Sequence, residues 1–214
     1  MEGKIVYFDK PGFRNTEEVL SIAKERAKKL GIKTIVVAST TGNTGVRATE
    51  VFTGMKVVVV GHAIGKKNRG VQQLTENNRQ KIVANGGLVL NITPLFNSIG
   101  HSMQNKLSMP LNAVMVPYTL RLFGEGMKVV VEISVMAADA GLVSIDENII
   151  AIAGTAKGAD LAVVLKPVYS QDFFDLKVNE ILCKPYSGSP SISVSNASNG
   201  YRSYAGSSSS SSED

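Results

Sequence analysis

Short apolar runs alternate with amphipathic segments along most of this chain. The apolar runs are rich in β-branched residues and predict strands at residues 4–9, 34–39, 56–60 and 88–90. The segments between them have apolar side chains at helical spacing and predict helices at residues 16–30, 43–52 and 75–85. Strands that are apolar on both faces and alternate with helices are typical of a mostly parallel sheet covered on each side. The pattern therefore predicts a three-layer α/β/α sandwich.

The second half of the chain is less regular. Prolines interrupt the pattern over residues 92–122, where we expect short helices and irregular chain. Residues 127–141 combine β-branched residues with alanines; we predict a helix, because the run is too long for an ordinary strand. Residues 148–154 and 160–165 predict two strands joined by a turn too short for a parallel crossover, hence an antiparallel pair. Residues 177–184 predict a last strand at the edge of the sheet.

The composition indicates one folded domain followed by a tail. A chain of 214 residues with 43% hydrophobic residues is long enough for one substantial core. We assign that domain to residues 1–186. Residues 187–214 are rich in serine, glycine and asparagine and bury little apolar surface, so we expect a disordered or artificially added tail.

The charge and hydropathy narrow the classes of partner. A net charge of +5 suits an anionic small ligand or loose attraction to nucleic acid. The densest basic cluster, residues 66–69, has no interleaved aromatic residues, so we expect no specific nucleic-acid binding.

No apolar run is long enough to cross a bilayer, which predicts no membrane partner and a cytoplasmic location. The single cysteine, Cys183, lies in an apolar run and is interpreted as a core residue. The sequence leaves the oligomeric state open, including a homo-oligomer.

The most informative stretch is residues 35–47, where an apolar strand ends in small hydroxyl residues and glycines and a helix begins. Such a turn places free backbone N–H groups and the positive end of a helix at one spot, which suits a phosphate. Its candidate ligand-binding residues are Ser39, Thr40, Thr41, Gly42, Asn43, Thr44 and Gly45. Neither the dinucleotide fingerprint nor the Walker sequence is present. An ordinary strand-to-helix turn with a Ser or Thr cap explains this motif, taken alone, equally well.

Other candidates follow from position, because ligands of open parallel sheets lie beyond the carboxyl ends of the strands. These positions are Asp9, Lys10, His62, Thr93, Thr155 and Lys157. Glu132 joins the candidates because a carboxylate on an apolar helix must be paired or perturbed, although a structural ion pair with Lys128 is the simpler interpretation. A surface-loop role is the simpler interpretation of His62. No metal-ligand spacing is present, and no nucleophile-elbow sequence supports acyl transfer.

Four blocks of the sequence together resemble a family of uncharacterised archaeal and bacterial proteins with the fold of the pyruvate kinase C-terminal domain. The blocks are residues 7–12, 39–44, 132–141 and 154–160, and the resemblance extends over about residues 4–185. In pyruvate kinases the corresponding Thr-x-Ser-Gly-x-Thr turn cradles a phosphate of a sugar bisphosphate activator. Here Thr41 stands where that turn has serine.

The resemblance implies flavin mononucleotide (FMN) as cofactor, with its phosphate on residues 39–45. From the residues themselves, we expect an apolar ring system of the ligand to lie over the Met- and Pro-rich residues 93–118. It does not imply phosphoryl transfer to pyruvate, because this chain lacks the length for the catalytic barrel. Our first hypothesis is therefore a cytoplasmic domain that binds FMN or a similar phosphorylated small molecule. This hypothesis includes an oxidoreductase that uses the bound flavin. The alternative is a non-catalytic sensor module that binds a sugar phosphate.

Overall fold

The computed structural model describes residues 3–97 and 115–186. Seven strands form one sheet: β1 (Val6–Phe8), β2 (Thr34–Ala38), β3 (Lys56–His62), β4 (Leu88–Ile92), β5 (Ile149–Ala153), β6 (Leu161–Lys166) and β7 (Lys177–Pro185). The helices are α1 (Thr16–Leu30), α2 (Asn43–Val51), α3 (Glu76–Ala84), α4 (Met115–Arg121) and α5 (Glu125–Asp139). The predicted tail and most of the Met- and Pro-rich stretch lie outside the described residues.

The sheet order is β1-β7-β6-β5-β2-β3-β4. Strands β2, β3, β4 and β5 are parallel to one another, as predicted. β6 is antiparallel to β5, which confirms the predicted antiparallel pair.

One detail of the predicted sheet was wrong. β7 is not an edge strand, because β1 pairs in parallel along its outer side through Val6 and Cys183. The antiparallel strand β6 lies between β5 and β7. The error concerns which strands are neighbours, and that depends on pairing between distant parts of the chain.

Helices cover both faces of the sheet. One apolar core joins α1, α2 and α3 to alternate strand residues such as Val37, Val59 and Ile150. The other joins α5 to the intervening residues, including Val36 and Ala151. The three-layer prediction is confirmed, and the apolar character of both strand faces follows from this double covering.

Local signals in the sequence explain the helix limits. In α1, Val19, Ala23 and Ala27 are fully buried, and Gly31 ends the helix in the left-handed conformation with a φ of 68°. Thr75 caps α3 by accepting the Asn78 amide. Residues 127–141 are helical in α5, as predicted, up to Asp139.

Cys183 is buried in β7, in agreement with its interpretation as a core residue. Desolvation by burial raises the pKa of its thiol to about 12, so the thiol stays protonated near neutral pH. Among the described residues, no helix has the length and apolar character needed to cross a membrane.

Candidate ligand-binding site

A cavity of about 930 Å³ opens at the carboxyl edge of the sheet. It lies where the chain leaves β2 for α2 on one face while α5 covers the other, the arrangement at which open α/β sheets bind ligands. Two groups of lining residues matter most. The α2 wall consists of Ser39, Thr40, Thr41, Asn43 and Thr44; the α5 wall consists of Lys128, Val129, Glu132, Ile133 and Met136.

The α2 wall combines polar groups that are bound within the fold, such as Asn43 Oδ1, which accepts Asn78 Nδ2 at 2.8 Å, with donors that are not. Gly42 precedes α2 with a φ of 98° and supplies no capping side chain. Ser39, which precedes α2, instead satisfies one amide of its first turn, since the Ser39 Oγ accepts the Gly45 amide at 3.1 Å. In the described part of the chain, neither the amides of Asn43 and Thr44 nor the Thr44 hydroxyl finds a hydrogen-bond partner. These three donors therefore remain for water or a ligand.

Gly42 and Gly45 themselves do not line the cavity. A Cβ atom on Gly45 would lie 2.6 Å from Val59 Cγ1, and one on Gly42 would lie 2.5 Å from Leu74 Cδ1 and from Asn78 Cβ. Glycine is required at both positions because α2 packs closely on β3 and α3. The close approaches that these two glycines make within the fold are therefore to the side chains of Val59, Leu74 and Asn78.

The α5 wall carries a buried ion pair. Lys128 and Glu132 are 5% and 4% exposed, one helical turn apart, and Lys128 Nζ donates to Glu132 Oε2. Glu132 Oε1 accepts the Phe96 amide at 2.9 Å, which links α5 to the chain after β4. The predicted Lys128–Glu132 pair is thus confirmed.

A third part of the lining comes from the turn between β5 and β6. Asp160, fully buried, accepts the amides of Thr155 at 3.0 Å and Gly12 at 2.7 Å through one carboxylate oxygen. It therefore joins the turn to the loop before α1. Ala156 has a φ of 62°, a left-handed conformation that few non-glycine residues adopt. This anchoring holds Ala156, Lys157 and Gly158 at the cavity.

The described lining contains more cations than carboxylates. Lys66, Lys67 and Lys157 are exposed and form no ion pair with any described residue. Arg47 is different, because it donates hydrogen bonds to the carboxylates of Glu17 and Glu50, which hold the guanidinium in place and raise its pKa. The cavity therefore has a positive field in which the three lysines are available to an anion.

Most of the predicted ligand-binding residues lie at this cavity. Those that line it are Ser39, Thr40, Thr41, Asn43, Thr44, His62, Glu132 and Lys157. Gly42, Gly45, Thr93 and Thr155 are not among its described lining residues, nor are Asp9 and Lys10. His62 is half-buried, and its Nδ1 lies 3.1 Å from Gln73 Oε1. His62 is the last residue of β3, and its side chain combines a hydrogen-bond partner with a position at the cavity.

Sequence reasoning missed several lining residues. Lys66 and Lys67 belong to the densest basic cluster, which was considered only for nucleic acid. Phe13 and Thr16 reach the cavity because Thr16 Oγ1 accepts the Ala159 amide at 3.0 Å and so draws α1 to the β5–β6 turn. A contact between residues so far apart leaves no local signal.

The fold and the cavity define an open α/β domain with a crevice at the carboxyl edge of its sheet. Residues 17–165 match the family model "Pyruvate kinase, alpha/beta domain", so the chain belongs to the pyruvate kinase alpha/beta domain family. The match begins in α1 and ends in β6, and β1 and β7 lie outside it.

Two solved structures of pyruvate kinase from Cryptosporidium parvum are similar to this chain. The first is 15% identical with a TM-score of 0.38, and the second, a complex with ADP, is 17% identical with a TM-score of 0.35. Each alignment covers 72% of this chain and 23% of the kinase chain. The matched region is thus less than a quarter of the kinase.

Proposed function

We propose that this protein recognises a phosphorylated small molecule at the cavity, with the phosphate on the α2 wall. The observation that carries the proposal is a set of three donors, the amides of Asn43 and Thr44 and the Thr44 hydroxyl, which belong to residues that line the cavity and have no described partner. They lie in the first turn of a nine-residue helix, where the helix dipole favours negative charge.

The energetics favour an anion at this position. A charge-assisted hydrogen bond contributes about 1.5–3 kcal/mol, so three donors together offset much of the cost of desolvating a phosphate. The exposed lysines 66, 67 and 157 add long-range attraction without being committed to described carboxylates. Cations in such a crevice also raise the rate at which an anionic ligand arrives.

FMN, or a compound of similar shape, fits the residues present. Cavities for cofactors of this size are about 300–1,000 Å³ and largely apolar, with a few polar groups that fix orientation. The cavity of about 930 Å³ has such groups on the α2 wall and the apolar side chains of Val129, Ile133 and Met136 on the α5 wall. A bound flavin would supply redox chemistry; the chain's own residues would hold the phosphate and exclude water from one face of the ring.

The alternative function is a non-catalytic sensor of a phosphorylated metabolite such as a sugar phosphate. Two observations favour it: the family is that of a domain within pyruvate kinase, and two ionisable side chains at the cavity, Glu132 and His62, already have hydrogen-bond partners in the fold. Glu132 has both oxygens in hydrogen bonds, and His62 Nδ1 pairs with Gln73. Reduction of bound flavin by NADPH, followed by reoxidation at a useful rate, would favour the enzyme; binding without turnover would favour the sensor.

The experiment that tests phosphate recognition is a titration of the full chain with FMN. Thr44→Val removes the hydroxyl at nearly constant volume and should weaken FMN binding about tenfold, the loss of one hydrogen bond to a charged group. Thr53→Val is the matched control, because Thr53 lies beyond the opposite end of α2 and its hydroxyl donates to the Glu50 carbonyl. Equal affinity in both variants would exclude Thr44 from the site, and absence of binding to the parent chain would contradict the flavin proposal.

We also propose a cytoplasmic location, since the single cysteine is buried in β7 with its thiol protonated and the bound ligand would be a cytosolic metabolite.

A further inference from the structure

The buried ion pair in the α5 wall has hydrogen-bonding capacity that the fold does not use. An ammonium group has three N–H donors, and Lys128 Nζ donates one hydrogen bond to Glu132. Within residues 3–97 and 115–186, the remaining donors have no acceptor. Lys128 is only 5% exposed, and it lines the cavity. Glu132, by contrast, has both oxygens engaged.

The position of Lys128 is fixed by its surroundings. Its ammonium lies 5.6 Å from the centre of the Phe96 ring, a cation–π contact. The Phe96 ring packs edge-on against Phe173 with ring centres 5.8 Å apart, and the Phe96 amide is bound by Glu132. Lys128 therefore contacts Glu132 and the Phe96 ring, and both contacts favour this position of its ammonium group.

The charge of the pair decides which acceptor suits it. Glu132 neutralises Lys128, so the pair offers donors without net positive charge. A second phosphate here would meet the Glu132 carboxylate in a poorly solvated wall, which is unfavourable. A neutral carbonyl oxygen avoids this repulsion, and Val129, Ile133 and Met136 provide an apolar surface for the ring that carries it.

We infer that the Lys128–Glu132 pair forms a second subsite, at which Lys128 donates to a carbonyl oxygen of a planar, uncharged ring in the ligand and Glu132 positions Lys128. This inference deepens the proposed function and rests on it, because the phosphate of the same ligand occupies the α2 wall. The ligand class is then a monophosphate that carries a carbonyl-bearing heteroaromatic ring, as in a flavin or pyrimidine mononucleotide, and not a sugar bisphosphate.

The double variant Lys128→Met/Glu132→Gln tests this subsite. It removes the ammonium donors of Lys128 without leaving a buried charge, and glutamine keeps a carbonyl oxygen for the Phe96 amide. For the full chain, FMN affinity should fall about tenfold, while the affinity for inorganic phosphate, measured by competition, should change less than about twofold. Lys166→Met, an exposed lysine outside the cavity, should change neither.

The single variant Glu132→Gln gives an independent readout that a merely structural role would not produce. It leaves the Lys128 charge uncompensated, so the subsite should accept a second phosphate better. The ratio of fructose 1,6-bisphosphate affinity to FMN affinity should rise about tenfold over the parent chain. If this ratio of affinities were the same in Glu132→Gln and the parent chain, the Lys128–Glu132 pair would not discriminate between ligands by charge.

Two failures are distinguishable. If the parent chain binds neither FMN nor phosphate, the proposed phosphate site is wrong and the subsite falls with it. If the parent chain binds both and the double variant, folded by circular dichroism, binds FMN as tightly as the parent, only the subsite is wrong. Equal loss of FMN and phosphate in the double variant would also overturn it, because Lys128 would then be a phosphate ligand.

Discussion

The α2 wall and the α5 wall line the same cavity, yet their polar groups differ in whether they find hydrogen-bond partners within the fold. On the α2 wall, the amides of Asn43 and Thr44 have no acceptor among the described residues. On the α5 wall, Lys128 and Glu132 neutralise each other and Glu132 is fully hydrogen-bonded. The first wall leaves donors without any partner in the described fold, whereas in the second Lys128 and Glu132 are paired and only the remaining Lys128 donors are unused.

This difference separates binding from stability. Groups that gain partners only from a ligand add affinity and contribute little to folding, since water satisfies them in the free protein. Groups that pair inside the fold contribute to folding, because removal of one partner leaves the other buried and unsatisfied. Substitutions on the α2 wall should therefore change ligand affinity with little effect on the free energy of unfolding, whereas substitutions that break the α5 pair should lower the free energy of unfolding as well.

The largest effect is expected for Glu132→Ala. It leaves Lys128 as an unpaired buried charge and the Phe96 amide without an acceptor, which should lower the free energy of unfolding by about 3–5 kcal/mol. Denaturant unfolding of the full chain measures this. Thr44→Val on the opposite wall should change the same quantity by less than about 1 kcal/mol.

The matched control for Glu132→Ala is Glu125→Ala. Glu125 forms an ion pair of the same i,i+4 spacing with Arg121, but its side chain is 26% exposed, so its loss should cost about 1 kcal/mol or less. Similar losses of stability in the two variants would mean that burial does not distinguish the α5 wall, and the comparison between the walls would break down.

A smaller effect is expected where α2 packs on β3. Gly45→Ala places a Cβ 2.6 Å from Val59 Cγ1, so overpacking should lower the free energy of unfolding by about 1–2 kcal/mol after the gain in helix propensity. Because α2 must then move away from the sheet, FMN affinity should fall as well.

A double-mutant cycle with Val59→Ala sharpens this test. If the Val59 methyl groups cause the clash, the double variant Gly45→Ala/Val59→Ala should be more stable than the sum of the single losses predicts, by about 1 kcal/mol. Strict additivity would show that Gly45 is required for a reason other than its contact with Val59.

The sequence predicted the features that depend on local pattern. The buried face of α1 could be recognised from the spacing of Val19, Ala23 and Ala27, and its end from Gly31. The Lys128–Glu132 pair could be predicted because both residues lie on one helix, four positions apart.

Features that depend on distant contacts could not be predicted in this way. Nothing in the apolar run of β7 indicates that Val6 would pair with Cys183 and bury that strand inside the sheet. The Phe96 amide on Glu132 likewise joins segments whose proximity only the fold establishes. Gly45 shows a third limit, since a glycine in a turn signals close approach without naming what approaches.

The most direct test of the phosphate site compares FMN with riboflavin, which has the same ring and no phosphate. Isothermal titration of the full chain with each ligand, in one buffer free of phosphate, measures the contribution of that group alone. With the phosphate on the α2 wall, FMN should bind about thirtyfold more tightly than riboflavin, equivalent to about 2 kcal/mol. Equal affinities for the two flavins would contradict phosphate recognition by the amides of Asn43 and Thr44.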